Sequence, residues 1–553
     1  MAADMTYQLR PSRPFTAHYA LTVADSFMVQ MDSAYLYILS AHLTDSEKSG
    51  LESILAQSLA TFFEAPEPSA YNLPELLGTI YEDASTGYLT VKVSTSSSVP
   101  FIVKERSSQA RFCDLKPEHG FPLRPLKPSI FGPSVTAPPP DATEGVGALW
   151  VQLTYTEGGF VIHLHIHHWI AGASSAARLV EAWFERARLM ATSANMKSDL
   201  HMDLSSVFSK CTIQFGHRQQ LTDTLAAVTA PQLSHPDILH VPGGRRVWAG
   251  MDFPPIVLLI LLNVFTFCMT YLSFLLPQSD VQIFHFSPES LERLRRDVRD
   301  AADGPEQIKG DELTANDCLT ALLWRSMSRA RFPPPSVPDS KSLASISTLL
   351  TAVDYRSRVQ PPLHANFFGN ASMDVYTELP MSSLVGAVDT ASRQMSTTSY
   401  IAAQIHRSVK GTTDSYIRSF YQLISSRPRI LDTRHRPIRF QYGTDVLCTS
   451  WEHIHADAGL LRLELPESAV SKNKIKFETV RYMHSEGLDG AIVVLPAFGQ
   501  KWKAQDAGNN GQPGGLQVAI SLTRKSMDIL KRDEDFKRYA TWGEAGGYIT
   551  SRA

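Results

Sequence analysis

Cysteine is scarce in this 553-residue chain, and the five that occur, Cys113, Cys211, Cys268, Cys318 and Cys448, lie far apart. There is no C-x-x-C pair and the count is odd, so the sequence predicts neither a disulfide framework nor a zinc ribbon. The N-terminus also lacks the basic stretch followed by an apolar stretch that marks a secretory signal. We therefore expect a cytoplasmic protein in a reducing compartment.

An excess of positive charge is also missing. The chain has 52 Lys and Arg against 55 Asp and Glu, a formal net charge of -3, and no basic run stands out. This balance argues against a nucleic-acid partner. The sequence contains no G-x-S-x-G, no G-x-x-x-x-G-K-[ST] and no H-E-x-x-H, which argues against hydrolases, NTPases and zinc proteases.

Only one long hydrophobic run is present, at 256–276, and it carries no charge. It is long enough to span a bilayer. However, Asn263, Thr266 and Thr270 recur at spacings of three and four, which would give a helix one polar stripe. The run therefore suits packing on protein or contact with a membrane surface as well as a membrane span.

The clearest local structure is a β-hairpin, with strands at 149–155 and 160–167 around the turn Glu157-Gly158-Gly159 and a helix starting near Ser174. Residues alternate between the two faces of a strand, so His168 ends the apolar row of the second strand. A side chain at the end of a strand can face a cleft. Partial burial there favours the neutral imidazole that a general base requires.

Two alternatives remain open for these histidines. His168 could be a hydrogen-bonded core residue. The strand histidines could also form a metal site with two downstream histidines, although the remaining ligands and their supporting partners are not assignable. This set comprises His163, His165, His167, His453 and His455.

Further elements alternate between strand and helix, which predicts an α/β fold. A strand at 281–286 leads through a capping Ser287 into a helix, and Thr314 caps a second helix at 315–331. Strands at 491–495 and 516–522 precede a final helix at 525–538.

Five stretches, in the same order, resemble motifs of the BAHD-type acyl-CoA-dependent acyltransferases, most of all their fungal trichothecene 3-O-acetyltransferase-like branch. The first resembles H-H-x-x-x-D-G and the second T-x-N-D-A-L-x-A-x-x-W-R. The others resemble D-x-R-x-R with P-x-L and Y-F-G-N-A, T-S-W with D-F-G-W-G, and the C-terminal glycines. They are His167-His168-Trp-Ile-Ala-Gly172-Ala173, Thr314 to Arg325, Val353 to Ala371, Cys448 to Leu461, and Gly514-Gly515.

The resemblance implies two chloramphenicol-acetyltransferase-like domains, with mixed sheets flanked by helices and an active-site tunnel at their interface. We expect one domain at 1–215, a linker with the apolar helix at 216–280, and the other domain at 281–553. A single membrane span at 256–276 would place His168 and Trp451 in opposite compartments. The resemblance therefore favours a segment that packs on the protein or docks on a membrane surface.

The resemblance also implies the chemistry. His168 Nε2 would act as general base on a substrate hydroxyl, and the Thr449 hydroxyl and the Trp451 indole would stabilise the oxyanion. No acyl-enzyme forms. Acyl-CoA, most simply acetyl-CoA, is the co-substrate, with no bound cofactor or metal, and the acceptor is a hydrophobic secondary metabolite of terpenoid, polyketide or alkaloid type. The protein is expected to be a monomer. Supporting roles fall to His167, Gly172, Arg356, Asn370 and Asp457.

Two departures from the family pattern matter. The motif aspartate, which pairs with an arginine of D-x-R-x-R, is Gly172 here, and leaving Arg356 unpaired would cost about 3–5 kcal/mol unless another acid replaces the partner. The stretch that starts at Asp457 lacks the aromatic residues of D-F-G-W-G. Two other classes of function therefore stay open: a binding module that has lost catalysis, and a membrane-anchored protein with a chance histidine pair.

Overall fold

The computed structural model describes most of the chain in separate ranges. They are 4–28, 31–115, 123, 126–132, 145–194, 209–226, 235–240, 279–301, 312–333, 345–386, 391–436, 438–439, 442–455, 458–463, 475–482, 489–496 and 515–542. Within these ranges, no helix has both the length and the apolarity to cross a bilayer. The apolar segment 256–276, predicted to dock on protein or membrane, lies outside the described residues.

The strands are distributed along the whole chain. In chain order they are β1 (Met5–Leu9), β2 (Ala17–Ala20), β3 (Asp32–Ala41), β4 (Thr79–Glu82), β5 (Leu89–Val93), β6 (Val99–Glu105), β7 (Val146–Gly147), β8 (Leu149–Thr156), β9 (Gly159–His167), β10 (Ile238–His240), β11 (Ser279–Phe286), β12 (Ile346–Asp354), β13 (Ser372–Pro380), β14 (Thr433–His435), β15 (Val446–Ser450), β16 (Ile475–Tyr482), β17 (Ala491–Pro496) and β18 (Leu516–Thr523).

Helices alternate with these strands. They are α1 (Val23–Phe27), α2 (Asp45–Ala60), α3 (Phe112–Leu115), α4 (Pro128–Phe131), α5 (Ala173–Ala194), α6 (Arg218–Ala226), α7 (Pro288–Asp300), α8 (Ala315–Arg331), α9 (Met381–Val385), α10 (Ala391–Gly411), α11 (Asp414–Ser425), α12 (Arg524–Leu530) and α13 (Glu534–Lys537).

Two six-stranded sheets dominate the fold. The first has the order β1-β6-β8-β9-β3-β16 and the second the order β11-β18-β17-β15-β12-β13. Both are mixed, because β6 runs parallel to β8 in the first sheet, and β15 runs parallel to β12 and β17 in the second. A four-stranded sheet (β2-β5-β4-β7) and the pair β10-β14 complete the described strands. The predicted mixed α/β class is confirmed.

The first sheet contains the predicted hairpin, with β8 and β9 joined by a tight turn at Glu157-Gly158. Gly158 has a φ of 86°, a left-handed conformation that glycine adopts without steric cost. The apolar row of β9, from Phe160 to Ile166, packs into a buried core with side chains of α2 and α5. The opposite face of β9 faces the second sheet.

The second sheet follows the predicted caps, with one difference at the C-terminus. The Ser287 hydroxyl accepts a hydrogen bond from Ser290 N at 3.1 Å, and Thr314 accepts one from Asp317 N at 3.1 Å. The single helix predicted at 525–538 is instead two helices, α12 and α13. The helix is interrupted because Asp533 caps the second helix, accepting a hydrogen bond from Phe536 N at 3.1 Å.

The two large sheets pack against each other through apolar side chains. Leu36, Ile38 and Val161 of the first sheet share a buried cluster with Val281 and Leu495 of the second. One strand also crosses between the two parts of the chain: β16, from the C-terminal part, pairs with β3 and forms the edge of the first sheet. The first sheet is therefore completed only by residues 475–482.

A buried polar contact joins the same two parts. His455 lies in a turn after β15, and its Nδ1 is 2.8 Å from Glu181 Oε1 of α5. Its Nε2 is 3.0 Å from the Tyr37 hydroxyl of β3. The side chains of His455 and Glu181 have no solvent exposure. We call His455, Glu181 and Tyr37 the inter-sheet triad.

Candidate active site

His168 directly follows β9, at the point where the strand becomes a turn. Its backbone N–H donates to the Met31 carbonyl at 2.9 Å, and Ile170 N donates to the His167 carbonyl at 2.9 Å, which closes the turn. The His168 side chain is half-buried. Burial lowers its pKa, while its own backbone carbonyl and the carboxylates of Asp374 and Asp25 act in the opposite direction. The net result is an imidazole that is neutral at neutral pH, as a base must be.

The carbonyl groups of this turn are held by side chains from distant parts of the chain. Asn370 Nδ2 donates to the His168 carbonyl at 2.8 Å, and Arg218 Nη2 donates to the Ile170 carbonyl. Both side chains also bind Asp25: Asn370 through its backbone N and its Nδ2 at 2.9 Å each, and Arg218 through Nε at 3.1 Å. Asp25 and Arg218 were not predicted as site residues. The only sequence signal for Asp25 is the T-x-x-D pattern with Thr22, which marks a helix start rather than a site.

Gly172 does not leave Arg356 without a partner. Arg356 forms an ion pair with Asp354. Its Nη2 donates to Ser175 Oγ at 2.9 Å and to the Phe367 carbonyl at 3.2 Å. A neighbouring acid has therefore replaced the missing aspartate, so the energetic cost of an unpaired arginine does not arise.

Thr449 lies on β15 beside Val493 of β17, which packs in the apolar cluster between the sheets. Neighbouring residues of parallel strands point to the same side, so Thr449 faces the first sheet. The strand register places Asp374 on this face too. Thr351 pairs with Cys448, so the next residue on β12, Ala352, lies beside Thr449. Asp374 of β13 pairs with Ala352. Asp374 and Thr449 are thus two strands apart, about 10 Å. The charge of Asp374 raises the pKa of His168.

Trp451 follows β15, and its backbone N–H donates to the Val494 carbonyl at 2.7 Å. Its indole packs against Tyr35 and Tyr482, with ring centroids 5.2 and 5.9 Å apart. In the described part of the chain, neither a ring contact nor a hydrogen bond joins Trp451 or Thr449 to His168. Their roles as oxyanion donors stay predictions.

The remaining predicted residues have structural contacts or are outside the described ranges. His167 is buried, and its Nδ1 accepts a hydrogen bond from Trp169 N at 3.2 Å. Asn370 is buried in the hydrogen-bond network described above. Asp457 lies outside the described residues, so its predicted role stays a prediction.

The metal alternative draws no support from the contacts of the histidines. His163 Nδ1 is 2.9 Å from the Phe131 carbonyl, and His165 stacks on Trp150 at 4.3 Å. His455 belongs to the inter-sheet triad. Among the described residues, no three metal-ligating side chains come together.

Comparison with known proteins adds to this geometry. A model of the transferase family matches residues 278–455. Acyltransferase easC of Emericella nidulans is 26% identical over 520 residues, which cover 91% of each chain. Eremophilane O-acetyltransferase prx11 of Penicillium rubens is 22% identical over 525 residues, covering 92% of this chain and 95% of that protein.

Solved structures share the fold. F. graminearum TRI101 complexed with ethyl coenzyme A aligns with a TM-score of 0.67 at 15% identity, covering 96% of this chain and 100% of that chain. Vinorine synthase aligns with a TM-score of 0.54 at 13% identity, covering 98% and 99%. These alignments extend over nearly the whole chain and show the same two-domain mixed α/β architecture.

Proposed function

We propose that this chain, which is similar in sequence to the transferase family and to fungal acyltransferases, is an acyl-CoA-dependent acyltransferase of the BAHD type. It transfers an acyl group, most simply acetyl, from acyl-CoA to a hydroxyl of a hydrophobic secondary metabolite. The names of its relatives, which include O-acetyltransferases, support the acyl group and the acceptor class. Acyl-CoA enters as co-substrate, and TRI101 has been crystallised with coenzyme A. The tunnel between the domains, the two domain boundaries and a monomeric state belong to the same proposal.

In this mechanism His168 accepts the proton of the acceptor hydroxyl while the hydroxyl oxygen attacks the thioester carbonyl. A C–O bond forms, the C–S bond breaks, and the imidazolium returns the proton to the CoA thiolate. No acyl-enzyme is needed. The Thr449 hydroxyl would donate to the oxyanion of the tetrahedral intermediate, with the Trp451 indole as a second donor.

The observation that supports this proposal most directly is the state of His168. It ends a rigid strand, and two side chains from other elements hold its turn. It stays neutral because burial lowers its pKa. Such a fixed, neutral imidazole suits proton abstraction.

The test is thiol release from acetyl-CoA in the presence of a panel of hydrophobic alcohols, with mass spectrometry of the products. His168→Ala should lower the transfer rate by about 10²–10⁴-fold, the usual contribution of a general base. His18→Ala, at an exposed position, is the matched control and should be as active as the unmodified protein.

Two outcomes would contradict the proposal. Full turnover by His168→Ala would remove the histidine from the mechanism. Binding of CoA without thiol release on any acceptor would instead identify a non-catalytic binding module.

A further inference from the structure

We propose that Asp25 is a positioning residue for His168, holding the turn that carries the base from a site far from the family motif. This proposal rests on the proposed function, in which His168 is the base. Asp354 pairs with Arg356 in place of the family's aspartate at the position of Gly172, and Asp25 holds the turn itself.

Asp25 is completely buried, and both of its carboxylate oxygens are occupied. Oδ1 accepts two hydrogen bonds from Asn370, each of 2.9 Å. Oδ2 accepts from Thr22 N at 3.0 Å, from Thr22 Oγ1 at 2.7 Å and from Arg218 Nε at 3.1 Å. A buried carboxylate with this many donors and an ion pair has one fixed orientation.

Two of these donors pass that orientation on to the active-site turn. Asn370 Nδ2 donates to the His168 carbonyl at 2.8 Å, and Arg218 Nη2 donates to the Ile170 carbonyl. Arg218 is itself held by Glu75 at 2.5 Å. One carboxylate therefore fixes two side chains, and these two fix the carbonyls at either end of the turn.

Asp25 also acts on His168 through its charge. The carboxylates of Asp25, on α1, and Asp374, on β13, both raise the pKa of His168 against the larger opposing effect of burial. Around Asp25 itself lie Arg218 and Glu75, which form a continuous network of ion pairs. Removing the charge of Asp25 should therefore lower the pKa of His168, an effect that a purely structural role would not produce.

The experiment compares Asp25→Asn with Asp317→Asn. Asp317 is the matched control because it is also buried, sits three residues after a threonine cap, and makes the same capping-box bonds at 2.9 and 2.8 Å. It lies at the start of α8. Both variants lose an aspartate of a T-x-x-D capping box, but only Asp25→Asn loosens the His168 turn.

We expect Asp25→Asn to lower kcat by about 10- to 100-fold, with KM for acyl-CoA within about threefold, since small misplacement of a catalytic group is costly. Asp317→Asn should leave kcat unchanged. Asn370→Ala cuts the link to the His168 carbonyl without altering the Thr22–Asp25 cap. It should lower kcat like Asp25→Asn, and it serves if Asp25→Asn fails to fold.

A second measurement does not depend on turnover. NMR titration of protein labelled at histidine Cε1, with His168 assigned by its loss in His168→Gln, should give a lower pKa in Asp25→Asn and an unchanged pKa in Asp317→Asn. If the unmodified protein transfers no acyl group, the proposed function fails while this titration still tests Asp25. If kcat and titration in folded Asp25→Asn match those of Asp317→Asn, Asp25 is not a positioning residue.

Discussion

Replacing His455 by alanine should destabilise the protein by about 2.5–6 kcal/mol. His455 is the central member of the inter-sheet triad, and burial lowers its pKa, so the ring is neutral. Burial opposes ionisation of Glu181, but hydrogen bonds from His455 and Arg178 outweigh it and lower the pKa of the carboxyl. The contact is therefore a neutral imidazole donating to a buried carboxylate.

The magnitude comes from two losses. The hydrogen bond from His455 Nδ1 to Glu181, 2.8 Å long, has a charged acceptor and contributes about 1.5–3 kcal/mol. The Tyr37 hydroxyl, now 3.0 Å from Nε2, would lose this partner in the interior, at a cost of about 1–3 kcal/mol. If all 553 residues unfold together, the unfolding entropy converts this loss into a decrease in Tm of about 2–5 °C.

Thermal unfolding followed by circular dichroism and by tryptophan fluorescence measures the effect. His453→Ala is the matched control, because His453 lies two residues away in the same turn but is exposed, and its replacement should change stability by less than about 0.5 kcal/mol. Tyr37→Phe should lower the stability by less than His455→Ala does, since it removes only one of the two hydrogen bonds. Equal melting of His455→Ala and His453→Ala would refute the assignment of stability to the triad.

Thr449→Val should lower kcat by about 10²–10³-fold, whereas Thr449→Ser should retain most of the activity because serine keeps the oxyanion donor. Equal single-turnover rates for the two variants would exclude the Thr449 hydroxyl as an oxyanion donor. The pH profile of kcat/KM should fall only below about pH 6.5, the ordinary histidine pKa, since burial lowers the pKa of His168 and the protonated ring cannot accept a proton; loss of activity already above that pH would contradict this. Gly172→Ala should change the free energy of unfolding by less than about 1 kcal/mol, because among the residues that the structure describes its Cβ would meet only Asn370 Oδ1, at 3.2 Å. Denaturant titration measures this change.

Local signals in the sequence predicted local structure well. The hairpin of β8 and β9 follows from alternation and a glycine turn, and the start of α8 from the Thr314 cap. His168 was placed correctly at a strand end for the same reason. The family motifs, compared in order along the chain, supplied the overall fold.

The rest depends on contacts between distant residues, which no local pattern encodes. Asp25 and Asn370 are 345 positions apart, so the network behind the His168 turn could not be inferred from spacing. The pairing of Arg356 with Asp354, in place of the motif aspartate, could not be predicted either. The D-x-R pattern is common to the family, and it does not show which acid the arginine contacts when position 172 is a glycine. The break between α12 and α13 shows the opposite case, where a local cap at Asp533 interrupts an otherwise helical pattern.

The placement of β16 constrains how the protein is made. During synthesis β3 leaves the ribosome early, but its hydrogen-bonding edge stays unpaired until residues 475–482 have been translated. An open strand edge invites pairing with another chain, so the nascent protein carries an aggregation-prone surface through most of its elongation. Protection by chaperones over that interval, rather than the strength of the finished fold, would then set the yield of active protein, and a fragment that stops before residue 475 should accumulate as insoluble material.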